Sequence, residues 1–372
     1  MPSRRQVIRV AYDSQIFAQQ QFGGISRYFC ELANCVAQAP DFDSRVVAPL
    51  HRNQYLHDAK DLDRGVFFNP TGRIAGKLMR VANQLISPWQ LRSYAPDILH
   101  ETYYLESNRA GVDRARVVTV FDMINERLEP ESSDRDKLTR AKLASVARAD
   151  SVICISEHTR RDLIDLLGVA EDKTHVVHLG FTLTAAPVVE CRAETRRPFL
   201  LYVGKRDGYK NFDTLLAAFA SSAKLRANFF ILAFGGGGFS EKEHLRIAEL
   251  GLNSGEVVQT GGQDDVLSTL YRDARCFIYP SMYEGFGIPP LEAMSFGCPV
   301  VSSNTSSIPE VVGDAAITVA PADVDAMRDA IERAAFDEDV RRDLVSRGTT
   351  RIRQFSWANC AEETMKIYQS LL

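Results

Sequence analysis

The sequence predicts an α/β chain of two Rossmann-like, doubly wound parallel-sheet domains facing each other across a cleft. Three observations carry this. Short apolar runs alternate with helix-period segments along most of the chain. The alternation breaks over residues 182–198 and then restarts. The length, 372 residues, fits two or at most three domains at roughly 150 residues each.

The first series opens with the apolar run Ile8–Tyr12. A polar loop holding Gly23 and Gly24 follows. Ser26–Gln38 then repeats Tyr28, Leu32, Cys35 and Val36 at helical spacing. Arg45–Pro49, Ile98–His100, Val117–Phe121 and Ser151–Ile155 read as strands, the last two rich in Val and Ile. His158–Leu167 reads as a helix that Gly168 stops, and Val176–Leu179 as a further strand. Thr182 to Pro198 holds two prolines and mixed charge without periodicity, so it reads as the linker between a domain over 1–181 and one over 199–356.

The second series starts with Phe199–Val203, a continuous apolar strand, and the helix Phe212–Ser221. Phe229–Phe234 is a strand ending in Gly235–Gly238. Lys242–Leu250 and Leu267–Arg272 read as helices around the strand Val257–Thr260. Cys276–Pro280 and Pro299–Ser302 are strands flanking a helix near Leu291–Phe296. Val324–Phe336, Val340–Arg353 and Trp357–Leu371 complete the chain as helices.

Composition excludes several classes. Hydrophobic residues make up 45% and charged residues 25%, an ordinary globular balance. The net charge of −4 gives no general reason to expect nucleic acid. The seven cysteines are scattered and odd in number, which argues against a zinc site and a disulfide framework. No signal-peptide or membrane-span pattern is present, so a cytoplasmic protein is expected.

The most informative stretch runs from Pro280 to Pro299, PSMYEGFGIPPLEAMSFGCP. A strand ends, a loop carries Glu284, Gly285, Phe286 and Gly287, Ile288 follows, and Pro289 and Pro290 favour the first turn of a helix, with Glu292 in that turn. A helix start offers unpaired N–H groups and positive polarity to a diphosphate. Glu292 and Glu284 are acceptor-only groups suited to a ribose diol and a sugar ring. The bland reading gives both glutamates to the helix dipole.

A second stretch, YVGKRDGYKNF, places Gly204, Arg206 and Lys210 after a buried strand, where two cations could neutralise a leaving diphosphate. Solvated loop charges would read the same way. A third, FGGISRY, puts Gly23 and Gly24 before a helix, where backbone N–H groups can meet phosphate.

Together the E-G-F-G-x-P-x-L-E stretch, the cations after Tyr-Val-Gly and the early Gly-Gly loop resemble the family 4 glycosyltransferases. The resemblance runs from Gly23 to about Trp357. It implies the GT-B architecture and transfer with retention, from a nucleotide-sugar donor to a saccharide or lipid-linked acceptor. It implies an acceptor-side first domain, a donor-binding second domain, and a final helix over 357–372 packing back on the first. GGISRY, HETYY and YVGKRDGYKNF look similar to a bacterial branch making O-antigen and capsule, often with mannosyl or rhamnosyl donors.

By this resemblance Glu292 binds ribose and Glu284 a donor-sugar hydroxyl. Arg206 and Lys210 hold the diphosphate, and Gly23 and Gly24 close over it. His100, in ILHETYY, lies near the transferred sugar, with Tyr103 and Asp122 on the acceptor side. Ser156, in VICISE, follows another strand and is expected to face the cleft on the acceptor side. Phe121 stands where relatives often have His. No metal or other cofactor is expected.

Three Asp-x-Asp triplets, Asp41–Asp43, Asp61–Asp63 and Asp323–Asp325, follow no buried strand and are discounted as metal sites. Gly235–Gly238 matches no phosphate-loop spacing and reads as a close-approach loop under the nucleotide. Residues 72–92 form a basic amphipathic pattern that fits either a helix packed on the first domain or one lying on an anionic membrane. Two other functions stay open: a nucleotide-sugar 2-epimerase of the same fold, and a non-catalytic nucleotide-sugar-binding protein.

Overall fold

The computed structural model describes residues 7–59, 62, 65–69, 72–107, 114–128, 133–182, 197–206 and 208–372. Most of the expected linker, residues 183–196, lies outside them, as do Cys191, Asp61 and Asp63. The chain divides into two compact units: Met1–Gly180 with Trp357–Leu372, and Phe181–Ser356.

Unit 1 is built on six parallel strands: β1 (Ile8–Tyr12), β2 (Phe42–Val46), β3 (Ile98–Glu101), β4 (Ala115–Val120), β5 (Ser151–Cys154) and β6 (Thr174–Val176). Their spatial order is β2-β1-β3-β4-β5-β6. Helices α1 (Gly24–Ala37), α2 (Arg73–Tyr94), α3 (Ser133–Arg148) and α4 (Glu157–Leu167) connect them. The order reverses between β1 and β3, so the loops after these strands flank a crevice at the sheet's carboxyl edge.

Two strand boundaries differ from expectation. β2 spans Phe42–Val46, not Arg45–Pro49, because Ile8 to Tyr12 pair in register with Phe42 to Val46. Its polar residues Asp43 and Arg45 alternate with buried ones and masked the strand. β6 likewise sits earlier than expected, at Thr174–Val176.

Unit 2 has a second six-stranded parallel sheet: β7 (Phe199–Val203), β8 (Phe230–Phe234), β9 (Val257–Thr260), β10 (Cys276–Tyr279), β11 (Val300–Ser303) and β12 (Ala316–Val319). The order is β9-β8-β7-β10-β11-β12. β7 lies between β8 and β10 and is apolar along its length, as a strand covered on both faces must be. Helices α5 (Phe212–Ser221), α6 (Glu241–Glu249), α7 (Ile288–Ser295) and α8 (Val324–Phe336) connect and cover the sheet. Leu200, Phe212, Phe219, Ile231, Ile278, Val301 and Ile331 share one buried core. Each such side chain contributes about 1.5–3 kcal/mol through apolar area removed from water.

The last helix, α9 (Trp357–Ser370), belongs to unit 1. Its Tyr368 hydroxyl lies 3.2 Å from that of Tyr12 and 2.6 Å from Nδ1 of His100. The Trp357 ring sits 6.1 Å from Tyr28. The chain end therefore completes the core of the unit that began it.

Candidate active site

In unit 2 the strand order reverses between β7 and β10, and the two richest motifs are the loops that leave these strands. Three contacts stitch the loops together. The Met282 N–H donates to the Tyr209 carbonyl at 2.7 Å. Asn211 Nδ2 donates to the carbonyls of Pro280 (3.0 Å) and Pro321 (2.7 Å). Lys210 Nζ donates to Glu284 Oε1 at 2.7 Å. Asn211 holds a left-handed conformation, φ 57°, which Asn tolerates better than most residues. Lys210 keeps 21% of its side chain exposed at the carboxyl edge of the sheet.

Glu284 is buried and held from below by a loop that follows β11. Ser306 Oγ accepts from the Glu284 N–H at 2.9 Å, and Ser307 Oγ donates to the carbonyls of Glu284 and Phe286 at 2.8 and 2.7 Å. The Phe286 ring packs edge-on to Phe355. Gly287 caps α7 at φ 115°, a conformation that favours glycine. Beside Glu284, the buried Tyr279 phenol is pushed well above its ordinary range, by burial first and then by the carboxylate.

The helix begins at Ile288 with both prolines in its first turn, as expected, but Glu292 stands in the second turn and not the first. Pro289 and Pro290 occupy the first turn and carry no N–H. The helix start thus offers positive polarity but few donors, and Gly287 and Ile288 supply what N–H groups remain. Glu292 is half-buried and accepts a hydrogen bond from the Tyr271 hydroxyl at 3.2 Å.

Arg206 does not stand open beside Lys210 as expected. Only 3% of its side chain is exposed. Its guanidinium donates to the carbonyls of Gly235 (2.7 Å), Gly237 (2.9 Å) and Gly238 (3.1 Å), and to Glu243 Oε1 (2.6 Å). Gly204, at φ 127°, turns the chain into this arrangement.

In unit 1, Gly23 and Gly24 begin α1, where Gln20 Oε1 accepts from the Ser26 N–H at 3.2 Å. A Cβ on Gly23 would lie 2.1 Å from that oxygen, so a neighbouring amide packs where a side chain would be. Tyr103 and Asp122 are half-buried at the carboxyl ends of β3 and β4.

Two expected site residues are interior groups instead. His100 is fully buried, with Nδ1 on Tyr368 and Nε2 on Thr119 Oγ1 at 2.9 Å. It has no free nitrogen to offer a sugar. Ser156 is also fully buried and caps α4, its Oγ accepting from the Thr159 N–H at 3.0 Å. Phe121 fills an aromatic cluster with Tyr28 and Phe29.

Sequence reasoning missed several groups. Ser306, Ser307 and Asn211 carried no signal beyond a polar loop. Asp13, at the end of β1, accepts from Thr102 Oγ1 (2.5 Å) and Thr102 N–H (3.1 Å), pinning the loops at the unit 1 crevice. Burial, then Glu101, pushes its carboxyl up to about 6. Lys142 is buried and holds the Asp122 carbonyl (2.9 Å) and Glu126 (2.8 Å). Among the triplets discounted as metal sites, Asp323 caps α8 through the Ala326 N–H.

Residues 22–184 match a family profile described as Glycosyltransferase Family 4, and residues 190–351 one described as Glycosyl transferases group 1. Over 372 aligned residues the chain is 30% identical to O-antigen chain mannosyltransferase B of Escherichia coli, covering 94% of this chain and 96% of that protein. The chain is a family 4 glycosyltransferase. The serotype-specific mannosyltransferase WbdA of Escherichia coli is 32% identical over 244 residues, 62% of this glycosyltransferase and 30% of WbdA. HepE of Anabaena, solved in complex with UDP and glucose, superposes with a TM-score of 0.73 at 17% identity, covering 98% of this chain and 100% of that one. The fold class is GT-B, with one six-stranded parallel sheet in each unit.

The burial of His100 has a measurable consequence in this glycosyltransferase. Burial lowers its imidazole to about 3, so the folded protein holds it neutral. An unfolded chain protonates it near 6.5. The stability it contributes is therefore complete above about 6.5 and is lost as pH falls toward 3, by up to about 1.4 kcal/mol per pH unit. In urea titrations, the stability advantage of the parent over His100→Gln is expected to shrink from pH 7 to pH 5. A constant advantage would mean that the imidazole is open to solvent.

Proposed function

We propose that this glycosyltransferase moves a hexosyl unit from a nucleotide-diphosphate sugar to a hydroxyl of a saccharide or lipid-linked saccharide in cell-surface polysaccharide synthesis. The donor is of the GDP-mannose or GDP-rhamnose type, with a UDP-sugar as the alternative; transfer retains the anomeric configuration, and no metal takes part. The likeness to the two Escherichia coli mannosyltransferases supports the sugar.

The observation that carries the reading is the Lys210–Glu284 pair at the carboxyl edge of the unit 2 sheet. An ammonium suits the diphosphate that leaves, and a carboxylate suits a sugar hydroxyl. Glu292 is assigned to the ribose, and Gly23 and Gly24 to the phosphates. The acceptor attacks from the face that the diphosphate vacates, and a donor phosphate oxygen takes its proton. Such a route needs no protein nucleophile; it needs orientation and charge stabilisation.

Unit 1 supports a membrane-side acceptor. α2 contains no Asp or Glu but has Arg73, Lys77, Arg80 and Arg92. Leu78, Val81, Leu85 and Trp89 recur at helical spacing and are 64%, 51%, 74% and 69% exposed. Met79, Asn83, Leu91 and Tyr94 are buried, and Asn83 exchanges two 2.8 Å hydrogen bonds with Leu50. An apolar stripe on a helix whose own charges are all positive fits the surface of an anionic bilayer. The site of action is the cytoplasmic face of that membrane.

Lys210→Gln is expected to lower kcat roughly 10²–10³-fold, equivalent to about 2.7–4 kcal/mol of transition-state stabilisation. The melting temperature should move by no more than a few degrees, and EDTA should leave parent turnover unchanged. Near-normal turnover in Lys210→Gln would reduce the lysine to a surface charge. In a thermal-shift screen of GDP-, UDP-, ADP- and CDP-sugars, the GDP-sugars should stabilise most.

On flotation with phosphatidylglycerol vesicles the protein should rise with the lipid, and Leu85→Glu/Trp89→Glu should remain below. Failure of the parent to float, or a concentration-dependent dimer abolished by the same changes, would end the membrane reading.

A further inference from the structure

Arg206 makes four hydrogen bonds, and its partners define a second feature of the donor site. We infer that Arg206 is a positioning residue, acting through the Gly235–Gly238 loop instead of touching the diphosphate. The inference rests on the donor-binding reading of unit 2.

The loop leaves β8, immediately beside β7. Gly235, Gly236 and Gly237 have φ of 87°, 69° and 74°, a run that glycine alone adopts without strain. The carbonyls of Gly235, Gly237 and Gly238 all turn toward one guanidinium. Nε of the same group meets Glu243 Oε1. Glu243 Oε2 in turn accepts from the N–H and Oγ of Ser240, both at 2.7 Å, so Arg206 is tied to the cap of α6. Its Cζ lies 4.9 Å from the centre of the Phe239 ring. A Cβ on Gly236 would sit 2.8 Å from Arg206 Nη1 and 3.1 Å from the Gly204 carbonyl oxygen. Loop and guanidinium therefore interlock.

The peptide bonds are trans, and in a trans peptide the N–H points opposite to the preceding carbonyl. Three carbonyls drawn to Arg206 therefore turn the N–H groups of Gly236, Gly238 and Phe239 away from it. Gly236 and Gly238 are exposed, and these three N–H groups meet no acceptor among the described residues. They are donors presented at the sheet edge that also carries Lys210. Their ligand is an oxygen of the donor nucleotide. The planar fork is essential here, since a lysine ammonium cannot span three carbonyls and a carboxylate in this geometry.

The test measures binding of GDP and UDP by calorimetry and steady-state donor kinetics for the parent, Arg206→Lys, Gly236→Ala and the double variant. Arg206→Lys keeps the charge and loses the fork. It is expected to weaken nucleotide binding about tenfold, the worth of one well-made hydrogen bond to a charged group. Donor KM should rise by a similar factor while kcat falls less. Gly236→Ala should reproduce this, and the double variant should be no worse than either single change, because both disrupt one loop.

Glu243→Gln, a milder change, should act in the same direction if the others fold poorly. Lysine restoring parent affinity and KM, or losses that multiply in the double variant, would make Arg206 a direct ligand and overturn the inference. A parent protein that binds neither GDP nor UDP would instead overturn the donor-site reading beneath it.

Discussion

The ion pair between Lys210 and Glu284 joins the two loops that leave the central strands of unit 2. It can exist only because β7 and β10 are neighbours in the sheet, although 72 residues separate Val203 from Cys276 in the sequence. Parallel strand order creates the crevice, and the loops fill it with opposite charges. Each charge offsets the other's desolvation while no ligand is present. In the proposed reaction the lysine meets the phosphates of the nucleotide-sugar and the glutamate its hydroxyls. The backbone contacts of Met282 and Asn211 hold the pair in place, and the Ser306–Ser307 loop supports it from β11.

Much of this was legible in the sequence. β7, α5, β9 and α8 fall where periodicity places them, because apolar residues there follow the period of the element they form. The motifs were legible too, since Glu284, Gly287 and Lys210 sit on loops where glycine and charge stand out against apolar strands. What periodicity could not give is partnership. Arg206 and Lys210 look equivalent as cations four residues apart, yet one is enclosed by a glycine loop and the other keeps about a fifth of its side chain exposed. Only the three-dimensional position of Gly235–Gly238 separates them.

Unit 1 hid more. α3 carries buried Lys142 and Ser145 on the side it packs, and Leu143 on its exposed side, so its pattern looks polar all round. The family resemblance puts His100 near the transferred sugar, and the position of Ser156 after a strand puts it at the cleft. Both hold elements together instead: His100 links β3 to α9 and to β4, and Ser156 caps α4. Tyr368, at the far end of the chain, explains His100, and no local pattern connects residues 268 positions apart. The basic amphipathic pattern of α2 fits packing and exposure alike. The helix does both, anchoring through Asn83 while leaving an apolar stripe outward.

The central claim is that the leaving diphosphate settles where Lys210 now meets Glu284. The direct measurement is a crystal structure of the protein with GDP. The account predicts the pyrophosphate within about 2.7–3.2 Å of Lys210 Nζ and the ribose diol on Glu292, with the Lys210–Glu284 contact opened. A nucleotide bound elsewhere, with that contact intact, would contradict it.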